Sequence, residues 1–220
     1  MERNTVIIVG SNGDTGSQIV KDFNENNWEV IGLSREKNNE ICDINLFIND
    51  FREINQLESI IPNIVSDNRK IKCLIICIGR WSTTNNLWDK TVFENNFIIV
   101  KNIYETFVPI FIEQNYGRII LISSIDSLYP NVNSFSYSIS KTAASSISKL
   151  YKKKYRETNV NFDVISPGGI NTKNRKNKEN KSYILQTEDI SDLCFYLANT
   201  NSRVAFEDFI MFPKTFQYSK

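Results

Sequence analysis

The feature that most restricts the fold of this chain is a run of three glycines after its first apolar segment. Val6–Val9 are all apolar, and Gly10, Gly13 and Gly16 follow directly. The dipeptide Asn12-Gly13 inside this run is also the strongest short signal for a β-hairpin, in which a second strand would return at once. A loop that binds phosphate uses glycines at similar spacing. The residues that follow must therefore decide between hairpin and phosphate loop.

Those residues have the periodicity of a helix. Ile19, Val20 and Phe23 are spaced as on one helical face, and the next strand-like segment spans residues 28–34. Two strands joined by a helix run parallel, because the crossover returns the chain to the same edge of the sheet. Asn12-Gly13 is therefore predicted to lie in a strand-to-helix loop, where backbone N–H groups can approach a pyrophosphate.

Short apolar runs alternate with helical patterns along the rest of the chain. Continuously apolar strands indicate a parallel sheet that is covered on both faces. We therefore predict an α/β fold with a single doubly wound, Rossmann-like parallel sheet, helices on both faces, and one domain over residues 1–220. A chain of 220 residues with 41% hydrophobic content can bury such a core. The predicted strands are 6–9, 28–34, 72–79, 118–124, 161–168 and 208–212, and the later predicted helices are 51–66, 88–115, 135–157 and 187–199.

Composition narrows the possible chemistry. The chain has 26 basic and 25 acidic residues, a net charge of +1, four cysteines and no histidine. This balance offers no basic surface for nucleic acid or a membrane, so a small-molecule partner is expected. Without histidine, no Ser-His-Asp triad or imidazole-metal site can form, and the cysteines lack metal-ligand spacing, so no metal is predicted. The N-terminal residues do not resemble a leader peptide, which favours a cytoplasmic protein with reduced thiols.

The end of the second predicted strand bears on the choice of cofactor. Dinucleotide-binding folds that prefer NAD commonly place Asp or Glu there, where it accepts a hydrogen bond from the ribose 2′-OH. This chain has Ser34 and Arg35 instead. Because a guanidinium can pair with a 2′-phosphate, the sequence predicts NADP(H) in preference to NAD(H). An ordinary exposed arginine is the alternative.

A tyrosine and a lysine one helical turn apart are the candidates for acid-base chemistry. Tyr137 and Lys141 open the predicted helix 135–157 and share one of its faces. A phenol has an ordinary pKa of about 10, and a nearby ammonium favours its phenolate. About one such pair is expected by chance in a chain of this composition, so its position is decisive. The pair follows a predicted central strand that ends in Ser123 and Ser124, where ligands bind in this fold.

Together, these residues resemble the short-chain dehydrogenase/reductase family over nearly the whole chain. The resemblance implies that Ser124, thirteen residues before Tyr137, orients the substrate. It further implies that Tyr137 donates a proton and that Lys141 also holds the nicotinamide ribose. Asn96, identified by its distance to Pro109, would belong to the family's proton relay.

The resemblance also implies a set of cofactor-binding residues. The glycine loop is similar to a family variant with its middle glycine one place early, and "CDIN" to the adenine-contacting acidic residue after the third strand. "SPGGINT" is similar to the Pro-Gly loop around the nicotinamide, whereas "ICIG" replaces the usual Asn-Asn-Ala-Gly. The implied residues are Gly10, Ser11, Asn12, Gly13, Thr15, Gly16, Ser34, Arg35, Asp43, Ile44, Gly79, Tyr137, Lys141, Pro167, Gly168, Ile170 and Thr172.

The implied activity is reduction of a ketone or aldehyde to an alcohol by NADPH, with Tyr137 as proton donor. A non-catalytic NAD(P)-binding sensor or scaffold stays open because of "ICIG". A nucleotide-sugar epimerase or dehydratase is a weaker alternative, since 220 residues leave little room for a further subdomain. Residues 173–186 are predicted to form a short basic loop on the substrate side. This loop either contacts nothing or steers an acidic or carrier-bound substrate.

A homodimer or homotetramer is expected to form through the two longest predicted helices. The first carries Phe93, Phe97, Val100 and Tyr104 at helical spacing, and the second contains small residues that permit close approach. The alternative is that these faces pack against the sheet of their own subunit.

Overall fold

The computed structural model describes residues 3–36, 41–65, 69–81, 88–173 and 184–214. The strands are β1 (Thr5–Val9), β2 (Glu29–Ser34), β3 (Ile44–Phe47), β4 (Ile71–Ile76), β5 (Gly117–Ile122), β6 (Val160–Pro167) and β7 (Phe209–Met211). The α-helices are α1 (Asp14–Glu25), α2 (Ile54–Ser59), α3 (Ile61–Ile64), α4 (Lys90–Phe93), α5 (Ile99–Glu113), α6 (Phe135–Lys154) and α7 (Thr187–Asn199). A π-helical turn spans Glu94–Ile98, and short 3₁₀ turns span Ile125–Ser127 and Val132–Ser134.

The seven strands form one sheet in the order β3-β2-β1-β4-β5-β6-β7. Every neighbouring pair is parallel, which confirms the predicted doubly wound α/β fold. The strand order reverses between β1 and β4, because the chain runs outward to β3 and then returns to the other side of β1. In such a sheet the reversal opens a crevice at the carboxyl ends of the strands, where ligands bind.

Two apolar layers cover the two faces of the sheet. In β1, Ile7 and Val9 face the layer beneath α5 and α6, whereas Val6 and Ile8 face the layer beneath α1 and α7. All five residues of β1 are buried, which explains why this strand is continuously apolar rather than alternating. The sheet is therefore a rigid platform whose strand ends position the site.

Three elements differ from the sequence-based expectations. The predicted helix 51–66 is two short helices, α2 and α3; the second starts so that Pro62 lies in its first turn, where its missing N–H is tolerated. The predicted helix 88–115 contains the π-helical turn between α4 and α5. β3 was not among the predicted strands, because this short edge strand exposes Asn45 and Phe47 on one face.

The expected oligomer face is partly wrong. Val100 and Tyr104 have no exposed surface and pack inside the subunit, so they cannot contact another chain. The ring of Tyr104 lies 5.2 Å from that of Tyr151 on α6, between centroids. Phe93 and Phe97 are half-buried. The alternative, in which these faces pack against the subunit's own core, therefore holds for Val100 and Tyr104.

Within the described ranges, no helix is both long and apolar enough to cross a membrane. No group of three or more Cys, Asp or Glu side chains there could hold a metal ion. All four cysteines are free, with Cys77 half-buried and the other three buried.

Candidate active site

The glycine turn between β1 and α1 is too tight for side chains at two of its three glycines. Gly10 has a φ of +89°, and a Cβ there would lie 2.4 Å from the carbonyl oxygen of Cys77. A Cβ on Gly16 would lie 2.1 Å from the carbonyl oxygen of Gly10, whereas one on Gly13 would meet the same oxygen at 3.4 Å. The turn leads directly into α1, so it is a strand-to-helix loop and its N–H groups can cradle a phosphate.

Asn12 joins the glycine turn to the end of β2. Its Nδ2 donates to the carbonyl oxygen of Glu36 at 3.1 Å, and the Ser34 hydroxyl donates to the same oxygen at 2.5 Å. The Oδ1 atom of Asn12 is buried and accepts no hydrogen bond from the described residues. A buried acceptor without a donor is costly unless a ligand supplies one, so this corner suits a bound dinucleotide.

Arg35 lies exposed at the same corner. The nearby carboxylate of Asp50 is already occupied by Arg52, whose guanidinium donates to it at 2.6 to 3.0 Å. These hydrogen bonds hold the pKa of Asp50 below its usual range, and the charge of Arg35 adds a smaller contribution. The corner therefore presents a guanidinium rather than an unpaired carboxylate.

The expectation for Asp43 and Ile44 is wrong. β3 begins at Ile44, so Asp43 precedes the third strand instead of following it. The Asp43 carboxylate accepts from the backbone N–H of Val30 at 2.8 Å and pairs with Arg3 at 2.8 Å. These contacts lie at the amino ends of the strands, opposite the glycine turn. Asp43 therefore stabilises the far edge of the sheet and cannot reach a ligand in the crevice.

Ser124, Tyr137 and Lys141 come together where β5 ends and α6 begins. Lys141 Nζ lies 5.9 Å from the centroid of the Tyr137 ring. Burial raises the pKa of Tyr137 to about 12, although the neighbouring Ser124 side chain opposes this rise. The phenol is therefore neutral near pH 7 and has a proton to donate.

The ammonium of Lys141 is almost completely buried. Its Nζ donates to the carbonyl oxygens of Ile78 at 3.2 Å, just after β4, and Ile122 at 3.3 Å, the last residue of β5. Burial lowers the pKa of Lys141 to about 8, while neighbouring Cys77 acts weakly in the opposite direction. A Cβ on Gly79 would lie 2.8 Å from this Nζ, which explains why glycine occurs there.

Asn96 contacts the backbone of Arg80 rather than Lys141. The Asn96 side chain is fully buried in the π-helical turn, a wide turn of a kind often found at functional sites. Its Oδ1 accepts from Arg80 N–H at 2.6 Å, and its Nδ2 donates to the Arg80 carbonyl and the Ser140 hydroxyl, each at 3.0 Å. Asn96 therefore positions the turn beside Lys141, and its part in a proton relay stays a prediction.

The Pro-Gly segment leaves the end of β6 and borders the same crevice. Pro167 is the last residue of β6, and Gly168 N–H donates to the carbonyl of Met211 at 2.8 Å. Ile170 forms an isolated parallel bridge with Leu185, just before α7. The segment is thus held on two sides by backbone contacts.

The last described residue of this segment, Lys173, contacts the first residue of α1. Lys173 N–H donates to Asp14 Oδ2 at 2.6 Å, and Lys173 Nζ lies 3.8 Å from Asp14 Oδ1. Thr172 is half-buried directly before this contact. Of the basic loop predicted at 173–186, residues 174–183 lie outside the described residues, so its role stays a prediction.

Sequence reasoning missed three polar residues beside the catalytic candidates. Asp126 N–H donates to Ser124 Oγ at 3.2 Å, and Asp126 Oδ2 accepts from the Ser134 hydroxyl at 2.8 Å. The hydroxyl of Ser140 donates to the Tyr137 carbonyl at 2.8 Å. Their positions in the sequence were the available signal, since Asp126 follows Ser124 by two residues and Ser140 directly precedes Lys141.

The fold and the site define a class: α/β proteins that bind a dinucleotide at the carboxyl edge of a parallel sheet. The family described as short chain dehydrogenase matches residues 4–182, and the chain belongs to this family of oxidoreductases.

The individual relatives have low sequence identity to this chain. The chain is 24% identical to the 3-oxoacyl-acyl-carrier-protein reductase of Buchnera aphidicola, over 80% of this chain and 78% of that protein. Serine dehydrogenase from Escherichia coli has the same fold, with a TM-score of 0.85 at 20% identity over 97% of this chain and all of the other. A closed serine dehydrogenase complexed with NADP⁺ gives a TM-score of 0.86 at 20% identity, over 98% and 97% of the two chains.

The glycine turn makes a prediction about stability. In a helix, Gly→Ala normally stabilises by about 0.5–1 kcal/mol. Gly16→Ala should instead destabilise by about 2 kcal/mol or more, because its Cβ would overlap a backbone oxygen. Gly13→Ala is the matched control and should change stability by less than about 1 kcal/mol. Urea unfolding of the three proteins measures both changes. A Gly16→Ala protein as stable as the parent would show that the turn is not tightly closed.

Proposed function

We propose that this oxidoreductase uses NADPH to reduce a ketone or aldehyde to an alcohol. The observation that carries the proposal is the convergence of Tyr137, Ser124 and Lys141 beside the glycine turn, at the edge where this fold binds ligands. A bound NADPH would supply the hydride that adds to the carbonyl carbon. The protein supplies the proton, the orientation of the carbonyl and the charge that stabilises the phenolate.

The residues of the crevice fit such a cofactor. The turn at Gly10 and Gly16 has room only for backbone, which lets a pyrophosphate approach the N–H groups of α1. Asn12 Oδ1 offers a buried acceptor without a partner in the described part of the chain. Arg35 offers a guanidinium for a 2′-phosphate, which favours NADP(H). The NADP⁺ complex of serine dehydrogenase, which shares the fold, supports this choice.

The proton moves from Tyr137 to the substrate. As the new C–H bond forms, negative charge develops on the carbonyl oxygen, which Ser124 holds by a hydrogen bond. Tyr137 transfers its hydroxyl proton to that oxygen, so hydride and proton together convert the carbonyl to an alcohol. The phenolate left behind is stabilised by Lys141, which is mostly protonated near pH 7 because its pKa is about 8. The route that returns the proton through Asn96 is part of the proposal.

Replacement of Tyr137 tests the mechanism. Tyr137→Phe should keep NADPH affinity nearly intact and lower kcat about 10²- to 10⁴-fold, because the hydroxyl proton is needed in the transition state. NADPH consumption against a broad carbonyl panel measures the effect. Tyr196→Phe, which removes an exposed phenol from α7, is the control. A Tyr137→Phe protein with most of its activity would remove Tyr137 from the mechanism. Tight NADPH binding by a parent protein that turns over no carbonyl would favour the sensor alternative.

Replacement of Lys141 tests its two assigned roles. Lys141→Met keeps a long apolar stem but removes the ammonium, so both kcat and the affinity for NADPH should fall. Lys149→Met is a matched control on the same helix, where the lysine forms a partly exposed ion pair with Asp208. Steady-state kinetics and a fluorescence titration of NADPH measure the two effects separately. An unchanged NADPH dissociation constant would remove Lys141 from cofactor binding.

Replacement of Arg35 tests the choice of cofactor. Arg35→Asp should shift the ratio of NADPH to NADH affinity by about tenfold or more towards NADH, since a carboxylate accepts from a ribose 2′-OH and repels a 2′-phosphate. Arg156→Asp makes the same charge change just beyond the end of α6, far from the glycine turn. Dissociation constants for both dinucleotides decide the question. A parent protein that binds NADH as tightly as NADPH would contradict the proposal.

The partners are a small-molecule carbonyl compound or alcohol and a second copy of the chain. A carrier-bound or otherwise acidic substrate is supported by the basic sequence of residues 173–186 and by the Buchnera relative, named for a carrier-bound 3-oxoacyl group. Among the described residues, the substrate side of the crevice instead carries a carboxylate, that of Asp126. The homo-oligomer and the cytoplasmic location stay predictions.

A further inference from the structure

Asp126 is a half-buried carboxylate beside the reacting groups. It lies in the 3₁₀ turn Ile125–Ser127 directly after the catalytic serine, and its backbone N–H donates to the oxygen of that hydroxyl at 3.2 Å. The charge of Asp126 is close enough to Tyr137 to raise the pKa of the phenol. Asp126 therefore lies near the point where the substrate oxygen must sit.

No cation compensates this carboxylate within the described part of the chain. Burial raises the pKa of Asp126, and the hydroxyl of Ser134 is the one group found to oppose that rise. Two other partly or fully buried aspartates have guanidinium partners: Asp163 pairs with Arg118 at 2.5 Å, and Asp50 pairs with Arg52. Buried carboxylates are normally paired with cations, so the carboxylate of Asp126 needs an explanation.

A hydrogen bond to Ser134 does not explain the charge. A neutral amide at position 126 would accept the same hydrogen bond without the cost of burying an ion. The charge also works against the catalytic chemistry, because it disfavours the phenolate of Tyr137 that Lys141 stabilises. A negative charge that is costly for folding and unfavourable for the Tyr137 phenolate is accounted for by a positively charged ligand.

We propose that Asp126 binds an ammonium group of the substrate, so that the substrate is an amino ketone or amino aldehyde and the product is an amino alcohol. This inference rests on the proposed function, because Tyr137 and Ser124 define where the carbonyl oxygen lies. An ammonium beside Asp126 would neutralise the charge that opposes the phenolate. Substrate binding would therefore make Tyr137 a better proton donor.

The test compares three alcohols that share the same hydroxyl-bearing carbon chain and differ in the charge of its other end. The probes are 4-aminobutan-2-ol, pentan-2-ol and 4-hydroxypentanoate, which end in an ammonium, a methyl group and a carboxylate. The protein complexed with NADPH cannot oxidise an alcohol, so calorimetry measures binding without turnover. The amino alcohol should bind about tenfold or more tightly than pentan-2-ol, with the carboxylate weakest, because a charge-assisted hydrogen bond forms in a partly dry site.

Asp126→Asn separates charge from shape. The amide keeps an acceptor for Ser134 and removes the negative charge, so the affinity ratio of amino alcohol to pentan-2-ol should fall close to one. Glu113→Gln removes an exposed carboxylate at the end of α5, on the opposite edge of the sheet, and should leave that ratio unchanged. The ranking of the three probes by the parent protein needs no variant, so a folding defect in Asp126→Asn would not prevent the test.

The outcomes are distinct. The inference is overturned if the parent complex binds the amino alcohol no more tightly than pentan-2-ol, or not at all. An unchanged ratio in Asp126→Asn also overturns it, and tightest binding of 4-hydroxypentanoate would support the acidic substrate instead. Because the readout is binding, preferential binding of the amino alcohol together with no carbonyl turnover would contradict the proposed reductase and still support the ammonium site.

Discussion

The buried ammonium of Lys141 donates to the backbone carbonyls of Ile78, just after β4, and Ile122, the last residue of β5. Burial of a charge is costly, and here the carbonyl dipoles offset part of that cost. The same contact explains Gly79, because a side chain there would collide with the ammonium. The lysine lies one helical turn from Tyr137 on α6. The strand ends, the turn after β4 and the start of α6 are thus arranged around one cation.

Charge is distributed unevenly along the carboxyl edge of the sheet. Arg35 lies exposed beside the glycine turn, Lys141 lies buried at the centre, and Asp126 lies half-buried two residues after Ser124. The proposed anionic dinucleotide would therefore lie towards Arg35, and the proposed ammonium group of the substrate towards Asp126. The contact of Lys173 with Asp14 fastens the Pro-Gly segment to α1, so both walls of the crevice are held by the described part of the chain.

Much of the site could be predicted because its signals are local. A glycine turn followed by helical periodicity can be recognised within about 20 residues, and a pair at i and i+4 shares a helical face whatever surrounds it. The prediction that Asp43 contacts the cofactor was wrong because "CDIN" matches a family pattern by composition only. The third strand, β3, starts one residue later, so the carboxylate lies at the opposite edge of the sheet. The prediction that Tyr104 contacts another subunit was wrong for a related reason. Periodicity identifies an apolar face, but it does not show whether that face packs against the sheet or against another chain.

The sequence by itself determined the alternation of most strands and helices, the strand-to-helix loop at Gly10 to Gly16, and the spacing of Ser124, Tyr137 and Lys141, because each depends on neighbours along the chain. Tertiary structure alone decided the properties that depend on distant residues. The pKa of Lys141 near 8 reflects burial between strands that are far apart in sequence. The role of Asn96 depends on Arg80 and Ser140, which the π-helical turn brings within hydrogen-bond distance. That no cation among the described residues compensates Asp126 likewise appears only from the side chains around it, since whether a carboxylate has a partner depends on three-dimensional neighbours.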